Sequence, residues 1–190
     1  MPNVYVIIVT YKGKLWYDRC FESLRQSEIP VKTVVIDNAS NDGTVEFIKN
    51  NYPEIHLIAS ETNLGFGQGN NKGIRYALDN GADYVFLLNQ DAWIEYDTLK
   101  NLIEIQQNNT QYGVLSVMNV SKEKDKLLEG FINYLADYKN CDPLLIDDLY
   151  WGRLKDIYEI KMVLAAAWLL PRSTIETIGG FDPLFFRMSP

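Results

Sequence analysis

Residues 4–10 read Val-Tyr-Val-Ile-Ile-Val-Thr, a short and almost wholly apolar run that is rich in β-branched residues. Such a run is typical of a β-strand that is covered on both faces, as in a parallel sheet. Similar runs follow at residues 31–37, 55–59 and 84–88, and apolar residues at helical spacing lie between them. This alternation predicts right-handed βαβ units, that is, an α/β fold with a mostly parallel central sheet flanked by helices.

The first helix is predicted from the spacing of four residues after the opening strand. Leu15, Trp16, Cys20 and Leu24 recur at helical intervals, and Pro30 ends the segment. Such a spacing predicts one apolar helix face that packs on the sheet.

The whole chain, residues 1–190, is interpreted as a single domain, since domains usually hold about 100–200 residues. Residues 113–120 and 162–170 are predicted as further strands. Residues 121–161 show no clear periodicity and are predicted to form an irregular excursion with one short helix.

Composition excludes several classes of protein. Lys and Arg number 18 against 25 Asp and Glu, a net charge of −7, so the basic surplus of a nucleic-acid binder is missing. No apolar run has the length that a membrane span requires, and no basic leader precedes the first strand. Cys20 and Cys141 match no metal or redox spacing, which predicts free thiols in a reducing, cytoplasmic location.

Polar residues follow three of the predicted strands. Thr10 and Tyr11 end the first, Asp37 and Asn38 the second, and residues 89–91 (Asn-Gln-Asp) the fourth. In an open α/β sheet, ligands bind beyond the carboxyl ends of the strands, so these groups are candidate ligand contacts. Asp37 and Asn38 are equally suited to forming a turn and capping the next helix.

The carboxylate of Asp91 comes directly after a buried strand. A charge in that place has to be paired, solvated or bound to a cation, because an unpaired buried charge is very costly. Divalent cations such as Mg²⁺ prefer carboxylate oxygens and commonly share them with substrate phosphates. The alternatives for Asp91 are a cap for the helix near Asp97 and a solvated loop position.

The glycine-rich segment at residues 63–73 follows a strand and opens a helix that Gly81 is predicted to close. It is no Walker loop, and Asn70 and Lys72 interrupt the dinucleotide fingerprint, which disfavours a nicotinamide-dependent oxidoreductase. Its amides are placed to face an anion, with Lys72 adding positive charge. Alternatively, the glycines let the backbone approach a neighbouring element closely.

Taken together, these segments resemble a known family. The blocks that carry the resemblance are residues 6–11, 35–44, 63–73 and 86–91, with a weaker one at 165–172 and 178–182. They are similar to the inverting nucleotide-sugar glycosyltransferases of family 2, which have the GT-A fold, especially to bacterial rhamnosyltransferase-like members.

The resemblance implies a pocket for a UDP- or dTDP-sugar donor and a Mg²⁺ or Mn²⁺ cofactor. Base and ribose would lie against Thr10, Tyr11, Asp37 and Asn38. The pocket would be framed by Asn63, Gly65, Phe66, Asn70, Asn71 and Lys72. Asn89, Gln90 and Asp91 occupy the place of the family's metal-binding motif, and Asp91 would ligate the cation although Asn89 replaces the first carboxylate of that motif.

The resemblance also implies transfer, with inversion, to a saccharide or lipid-linked saccharide in the synthesis of bacterial surface polysaccharides. The inner face of the membrane is a further expected location, and a homodimer is one expected assembly. The family's Glu-Asp motif, which carries the catalytic base, is expected soon after residues 178–182 and is not found, so no residue is assigned as the base. The chain is therefore interpreted as truncated before that motif, or as a module that binds donors without efficient turnover. Asp142, Asp147 and Asp148 are interpreted as solvated loop residues.

Overall fold

A computed structural model describes residues 1–136 and 143–184 of the chain, which include a six-stranded sheet and several helices. The strands are β1 (Val4–Thr10), β2 (Lys32–Asp37), β3 (His56–Ala59), β4 (Tyr84–Leu88), β5 (Leu115–Ser116) and β6 (Ala167–Pro171). The helices are α1 (Tyr17–Arg25), α2 (Thr44–Asn51), α3 (Gly65–Asp79), α4 (Thr98–Asn108), α5 (Glu129–Ala136), α6 (Pro143–Tyr150) and α7 (Arg172–Ile178).

The sheet has the strand order β3-β2-β1-β4-β6-β5. β1 pairs in parallel with β2 on one side and with β4 on the other, and β3 pairs in parallel with β2. β6 runs antiparallel to β4. The prediction of a mostly parallel α/β sheet is confirmed.

β1 is covered on both faces, as its apolar sequence predicts. Val6, Ile7 and Ile8 are all 0% exposed, although successive side chains of a strand point to opposite faces. Ile7 belongs to a core cluster that includes Ile74 and Ala77 of α3. Burial on both sides makes β1 the central strand from which the other elements take their positions.

α3 lies unusually close to β1 because glycines face the strand. A Cβ atom on Gly69 would lie 2.8 Å from Cγ1 of Val9, and one on Gly73 would overlap Cγ2 of Ile7. Both contacts involve β-branched side chains within the sheet, which cannot swing away. The interpretation that glycines allow close backbone approach is therefore confirmed at these two positions.

The carboxyl end of α3 is closed as predicted. Gly81 has φ 76°, and its N–H donates to the carbonyl of Leu78 (3.1 Å), while the Ala82 N–H donates to that of Ala77 (2.9 Å). The guanidinium of Arg172 donates to the carbonyls of Leu78 (3.2 Å) and Ala82 (3.3 Å). Glycine closure and a cationic side chain thus satisfy carbonyls at the end of the helix and just beyond it.

The first predicted helix is confirmed, with Cys20 and Leu24 on its buried face, but the prediction is wrong at two of its four positions. Leu15 and Trp16 are 94% and 48% exposed and lie in a turn before α1, in which the Trp16 N–H donates to the Gly13 carbonyl (2.9 Å). The helix begins at Tyr17, after both of these residues, so they do not belong to its buried face. The buried residues of α1 are Tyr17, Cys20, Phe21 and Leu24.

Two later strands are shorter than predicted. β5 spans only Leu115–Ser116, and β6 begins at Ala167 rather than at residue 162. Beyond β5, Val120 pairs instead with Leu127 in an isolated antiparallel bridge. This local pairing competes with extension of the central sheet.

The chain divides into two compact units, one made of residues 1–115 with the segment from Ala166 onward, the other of Ser116–Ala165. Among its described residues, the second unit has the two short helices α5 and α6, where one was expected. The described part of the chain includes no helix with both the length and the apolarity to cross a membrane.

Asp148 organises the end of the second unit. It is only 7% exposed, and its carboxylate accepts a hydrogen bond from the hydroxyl of Tyr158 (3.1 Å). Lys155 and Arg153 lie 3.4 and 3.8 Å from its oxygens. The interpretation of Asp148 as a solvated loop residue is wrong, because a local ion-pair network surrounds it; Asp147 is exposed, and Asp142 lies outside the described residues.

We expect Gly73→Ala to lower the free energy of unfolding by about 1–3 kcal/mol, because the added methyl group overpacks the α3–β1 contact. The measurement is chemical denaturation followed by circular dichroism. Gly130→Ala is the matched control, since Gly130 is an exposed helical glycine whose Cβ would meet only Leu164 at 3.7 Å. It should leave stability unchanged or raise it by up to about 1 kcal/mol; equal effects of the two substitutions would contradict the close packing of α3.

Candidate functional site

The carboxyl edge of the sheet opens between β1 and β4. Their ladder ends at the pair Ile7–Leu87, whereas the ladder between β1 and β2 continues to Thr10–Asp37. β1 is also the strand at which the chain order reverses, because β2 lies on one side of it and β4 on the other. Ligands of open α/β sheets bind in the crevice at such a switch point.

Asp37, at the end of β2, is held by the backbone and by a hydroxyl. The side chain is 1% exposed; one oxygen accepts from Oγ1 of Thr10 (3.3 Å) and the other from the N–H of Ser40 (3.0 Å). The turn-forming alternative for Asp37 is therefore realised. Each carboxylate oxygen can accept more than one hydrogen bond, so this turn does not exhaust its capacity.

Asn38 joins the end of β2 to the start of α3. It is 3% exposed, its Nδ2 donates to the carbonyl of Gly65 (3.2 Å), and its Oδ1 accepts from the N–H of Leu64 (3.4 Å). Its own N–H donates to the carbonyl of Thr10 (2.8 Å). One residue thus fixes the ends of β1 and β2 against the first turn of α3.

The other predicted pocket residues lie just before α3 and in its first half. Gly65 has φ 74°, and its N–H donates to Oδ1 of the exposed Asn63 (2.8 Å). Asn70 is buried and donates to the carbonyl of the half-buried Phe66 (2.9 Å), while Lys72 is exposed. The structure therefore places Asn63 and Lys72 at the surface and gives Asn70 a contact within its own helix.

Asn71 binds a distant segment of the chain. Its Nδ2 donates to the carbonyl of Phe181 (2.7 Å), and its Oδ1 accepts from the N–H of the same residue (2.7 Å). The ring of Phe181 lies edge-on to Phe66 (5.6 Å between centroids) and parallel to Trp168 (6.3 Å). A Cβ atom on Gly180 would overlap the Asn71 amide, so the glycine leaves room for this pairing.

Gln90 makes the same kind of pairing with the loop that follows β1. Its Oε1 accepts from the N–H of Tyr11 (3.0 Å), and its Nε2 donates to the carbonyl of Tyr11 (3.4 Å). A Cβ atom on Gly13 would overlap the Gln90 amide. The side chain of Gln90 therefore spans the opening between β1 and β4.

The next two amides of the β1 loop, defined here as residues 11–13, are also held by side chains. The N–H of Lys12 donates to Oγ of Ser40 (3.0 Å), and that of Gly13 donates to the phenol oxygen of Tyr17 (3.0 Å). Burial raises the pKa of Tyr17, so the phenol keeps its proton at neutral pH. Tyr17 was not predicted as a site residue, because no local pattern signals this contact.

Asp91 differs from its neighbours in that its carboxylate is exposed and has no hydrogen bond or ion pair with residues 1–136 or 143–184. Asp97, not Asp91, is the N-cap residue of α4, so the capping alternative is not realised. The half-buried Asn89 is fixed by its backbone, with its N–H donating to the carbonyl of Ala166 (3.0 Å). Asp91 is thus available to a ligand from solution.

Cys20 of α1 lies beneath this turn as a buried free thiol, as predicted; Cys141 lies outside the described residues. Its Sγ is 3.9 Å from the carbonyl of Asn89. Burial, and secondarily the nearby charge of Asp91, raise the pKa of Cys20 to about 12. The neutral thiol is a poor ligand for a hard divalent cation, so Asp91 remains the acidic ligand at this position.

A cleft of about 300 Å³ lies at the opposite, amino-terminal edge of the strands, where Tyr5, Lys32 and His56 line it. Its cationic groups are already engaged, since Arg25 pairs with Glu54 (2.6 Å) and Lys32 donates to the hydroxyl of Tyr5 (3.3 Å).

Comparison with known proteins decides the family. A family model described as "Glycosyl transferase family 2" matches residues 5–158. The chain belongs to glycosyltransferase family 2. It is 32% identical over 187 residues to a low-salt glycan biosynthesis hexosyltransferase of Haloferax volcanii, covering 98% of this chain and 58% of that protein. It is also 34% identical over 200 residues to the N-acetylglucosaminyl-diphospho-decaprenol L-rhamnosyltransferase of Mycobacterium tuberculosis, covering 95% of this chain and 65% of the relative.

Solved structures confirm the GT-A fold. The S. aureus protein TarS (residues 1–349) superposes with a TM-score of 0.67 at 17% identity, covering 97% of this chain and 52% of that one. A mannosyltransferase from Pyrobaculum calidifontis, solved with GDP-mannose and Mn²⁺, gives a TM-score of 0.66 at 23% identity, covering 96% of this chain and 48% of that one. Family membership and fold are thus established, while the chain spans less than two thirds of the relatives it matches.

We expect the Cys20 thiol to resist alkylation at pH 8 in the folded protein, because a pKa of about 12 leaves a thiolate fraction of roughly 10⁻⁴. The measurement is iodoacetamide labelling followed by mass spectrometry in a Cys141→Ser background, with urea-unfolded protein as the control. The pKa of Cys20 rises from 9.0 to about 12 on folding, so the thiol of the unfolded chain loses its proton at lower pH than that of the folded chain. The free energy of unfolding therefore decreases as the pH rises from 9 to 12. Native labelling as fast as that of the unfolded chain would contradict the burial of Cys20.

Proposed function

We propose that this chain binds a UDP- or dTDP-sugar at the carboxyl edge of its sheet and forms the donor-binding part of a metal-dependent hexosyltransferase. The acceptor we propose is a saccharide or lipid-linked saccharide, with inversion at the transferred sugar. A homologue whose name specifies a diphospho-decaprenol acceptor supports the lipid-linked class. The observation that carries the proposal is the exposed carboxylate of Asp91 at the switch point of a family 2 glycosyltransferase fold.

The donor set at Asp91 fits a cation that arrives with a diphosphate. Within the described residues, no three acidic, His or Cys side chains come together as a closed metal site. Mg²⁺ is usually held by only one or two carboxylates together with substrate phosphates and water, and Asp91 supplies one such carboxylate. When bound, the cation stabilises negative charge on the departing nucleoside diphosphate.

The nucleoside half of the donor would contact the ends of β1 and β2. Thr10 and Ser40 orient the two oxygens of Asp37 (3.3 and 3.0 Å), and remaining acceptor capacity is available to a base N–H or a ribose hydroxyl. Tyr11 is 42% exposed beside them and offers an aromatic edge for the base. These contacts would orient the nucleoside without adding positive charge.

The phosphates need positive charge that the chain as a whole lacks, since its net charge is −7. Lys72 supplies one exposed cation on α3, and a divalent ion at Asp91 would supply two more charges on the other side of the opening. The proposed site thus binds an anion by local charges within an acidic surface.

The test is calorimetric titration with UDP, dTDP and GDP, each with and without Mn²⁺. We expect UDP or dTDP to bind best, and Mn²⁺ to tighten that binding by at least about tenfold. Asp91→Asn should abolish the effect of Mn²⁺, because an amide is a much weaker cation ligand than a carboxylate. Asp79→Asn is the matched control, since Asp79 is an exposed acid at the far end of α3, and it should behave as the unmodified chain.

Other outcomes separate the alternatives. If none of the three nucleotides binds, the proposal fails, and binding of NAD instead would favour an oxidoreductase. A preference for GDP would overturn the proposed donor class. Donor binding without transfer to any saccharide or lipid-linked acceptor would favour a module that binds donors without turnover.

A further inference from the structure

We propose that Gln90 is a positioning residue: its side chain holds the β1 loop and Asp91 at a fixed separation, so that the nucleoside and diphosphate halves of a donor are bound together. The functional part of this inference rests on the proposed donor site. The structural part depends only on the contacts of this chain: the Gln90 side chain pairs with the β1 loop where main-chain pairing between β1 and β4 has ended.

The first argument is the register of the strands. The β1–β4 ladder ends at Ile7–Leu87, and continuing that register would bring residues 10 and 11 opposite residues 90 and 91. Main-chain pairing does not continue there, because the two strands lead into separate loops. The peptide groups of the β1 loop pair with side chains instead, Tyr11 with Gln90 and Lys12 with Ser40 at the surface and Gly13 with Tyr17 in a buried position.

The second argument is the chemistry of the Gln90 side chain. A primary amide carries both a donor and an acceptor and can therefore pair with a peptide group on both sides. Gln90 does this with Tyr11, accepting at 3.0 Å and donating at 3.4 Å across 79 residues of sequence. Because the next residue is Asp91, this pairing fixes the turn that carries the exposed carboxylate.

The third argument is that the β1 loop leaves space for the Gln90 amide. A Cβ atom on Gly13 would overlap Oε1 of Gln90 and would lie 3.0 Å from the ring of Tyr17. Gly13 has an ordinary backbone conformation and is not among the residues with positive φ. Its lack of a side chain therefore serves the packing of Gln90 rather than a special turn.

Such a bridge has a defined effect on a ligand that touches both walls. One wall carries Tyr11 and, through Ser40, the end of β2; the other carries Asp91. If Gln90 holds the walls in the binding geometry, a nucleoside diphosphate and a cation should each favour binding of the other. Without the bridge, the two loops have to be ordered when both ligands bind. The free energy of that ordering reduces the factor by which each ligand tightens binding of the other.

The experiment compares the unmodified chain with Gln90→Met, which keeps the length of the side chain but removes both hydrogen bonds. Gly13→Ala is a second route to the same defect, since it displaces the amide while leaving Gln90 in place. Gln111→Met, at an exposed turn residue, is the matched control for the chemical change. Amide hydrogen exchange by NMR and calorimetric titration are measured for all four proteins.

Hydrogen exchange tests the structural part without any ligand. We expect the Tyr11 N–H to exchange at least about fivefold faster in Gln90→Met and Gly13→Ala, while amides within β1 and the control variant are unchanged. Unchanged exchange at Tyr11 in both variants would overturn the bridge, whether or not the chain binds nucleotides.

Titration tests the functional part. The readout is the factor by which Mn²⁺ tightens binding of whichever of UDP, dTDP and GDP the unmodified chain binds best, together with the affinity for that nucleoside without phosphates. We expect the Mn²⁺ factor to fall by about threefold in both variants, with nucleoside affinity changed less than twofold.

A general loss of structure would weaken nucleoside and diphosphate binding alike, and this result would overturn positioning by Gln90. An unchanged Mn²⁺ factor in the variants would overturn it as well. Absence of nucleotide binding in the unmodified chain is a different result. It refutes the proposed function and with it the functional role of Gln90. The hydrogen-exchange measurement still tests whether the Gln90 side chain protects the Tyr11 amide.

Discussion

The early end of the ladder between β1 and β4 is the constraint on which the site depends. β1 pairs on both sides as far as Ile7 and afterwards only with β2. Peptide groups beyond that point pair with polar side chains, and for the buried Gly13 amide the loss of its partner would cost about 1–3 kcal/mol. The same separation of strands provides the crevice for a ligand.

Neutral side chains make these contacts: Gln90 and the hydroxyls of Ser40 and Tyr17 hold the β1 loop, and two further amides pair with main-chain groups elsewhere. Asn38, Asn71 and Gln90 each contact main-chain groups of a different element through both a nitrogen and an oxygen. A carboxylate could only accept and an ammonium could only donate, so neither could replace a peptide group on both sides. Asp91 is thereby left free of structural contacts at the same edge, which separates support of the loops from contact with a ligand.

Much of the fold and the location of the site could be predicted from sequence, because both follow from local patterns. The apolar runs define β1 and β4, and the polar residues after them lie at the carboxyl edge. The predicted buried face of α1 was wrong at Trp16, because this residue shares the helical spacing but precedes the helix. The pairing of Gln90 with Tyr11 could not be predicted, since it depends on the strand order that joins residues 79 positions apart.

The two ends of α3 differ in their electrostatic surroundings. Aligned peptide dipoles leave about half a negative elementary charge at a helix's carboxyl end and half a positive one at its amino end. At the carboxyl end, the guanidinium of Arg172 contacts the carbonyl of Leu78 and so compensates the negative pole. At the amino end, no acidic side chain lies in the first turn, so the positive pole at Gly65 is uncompensated from within the helix, and it lies beside the crevice of a protein whose net charge is −7.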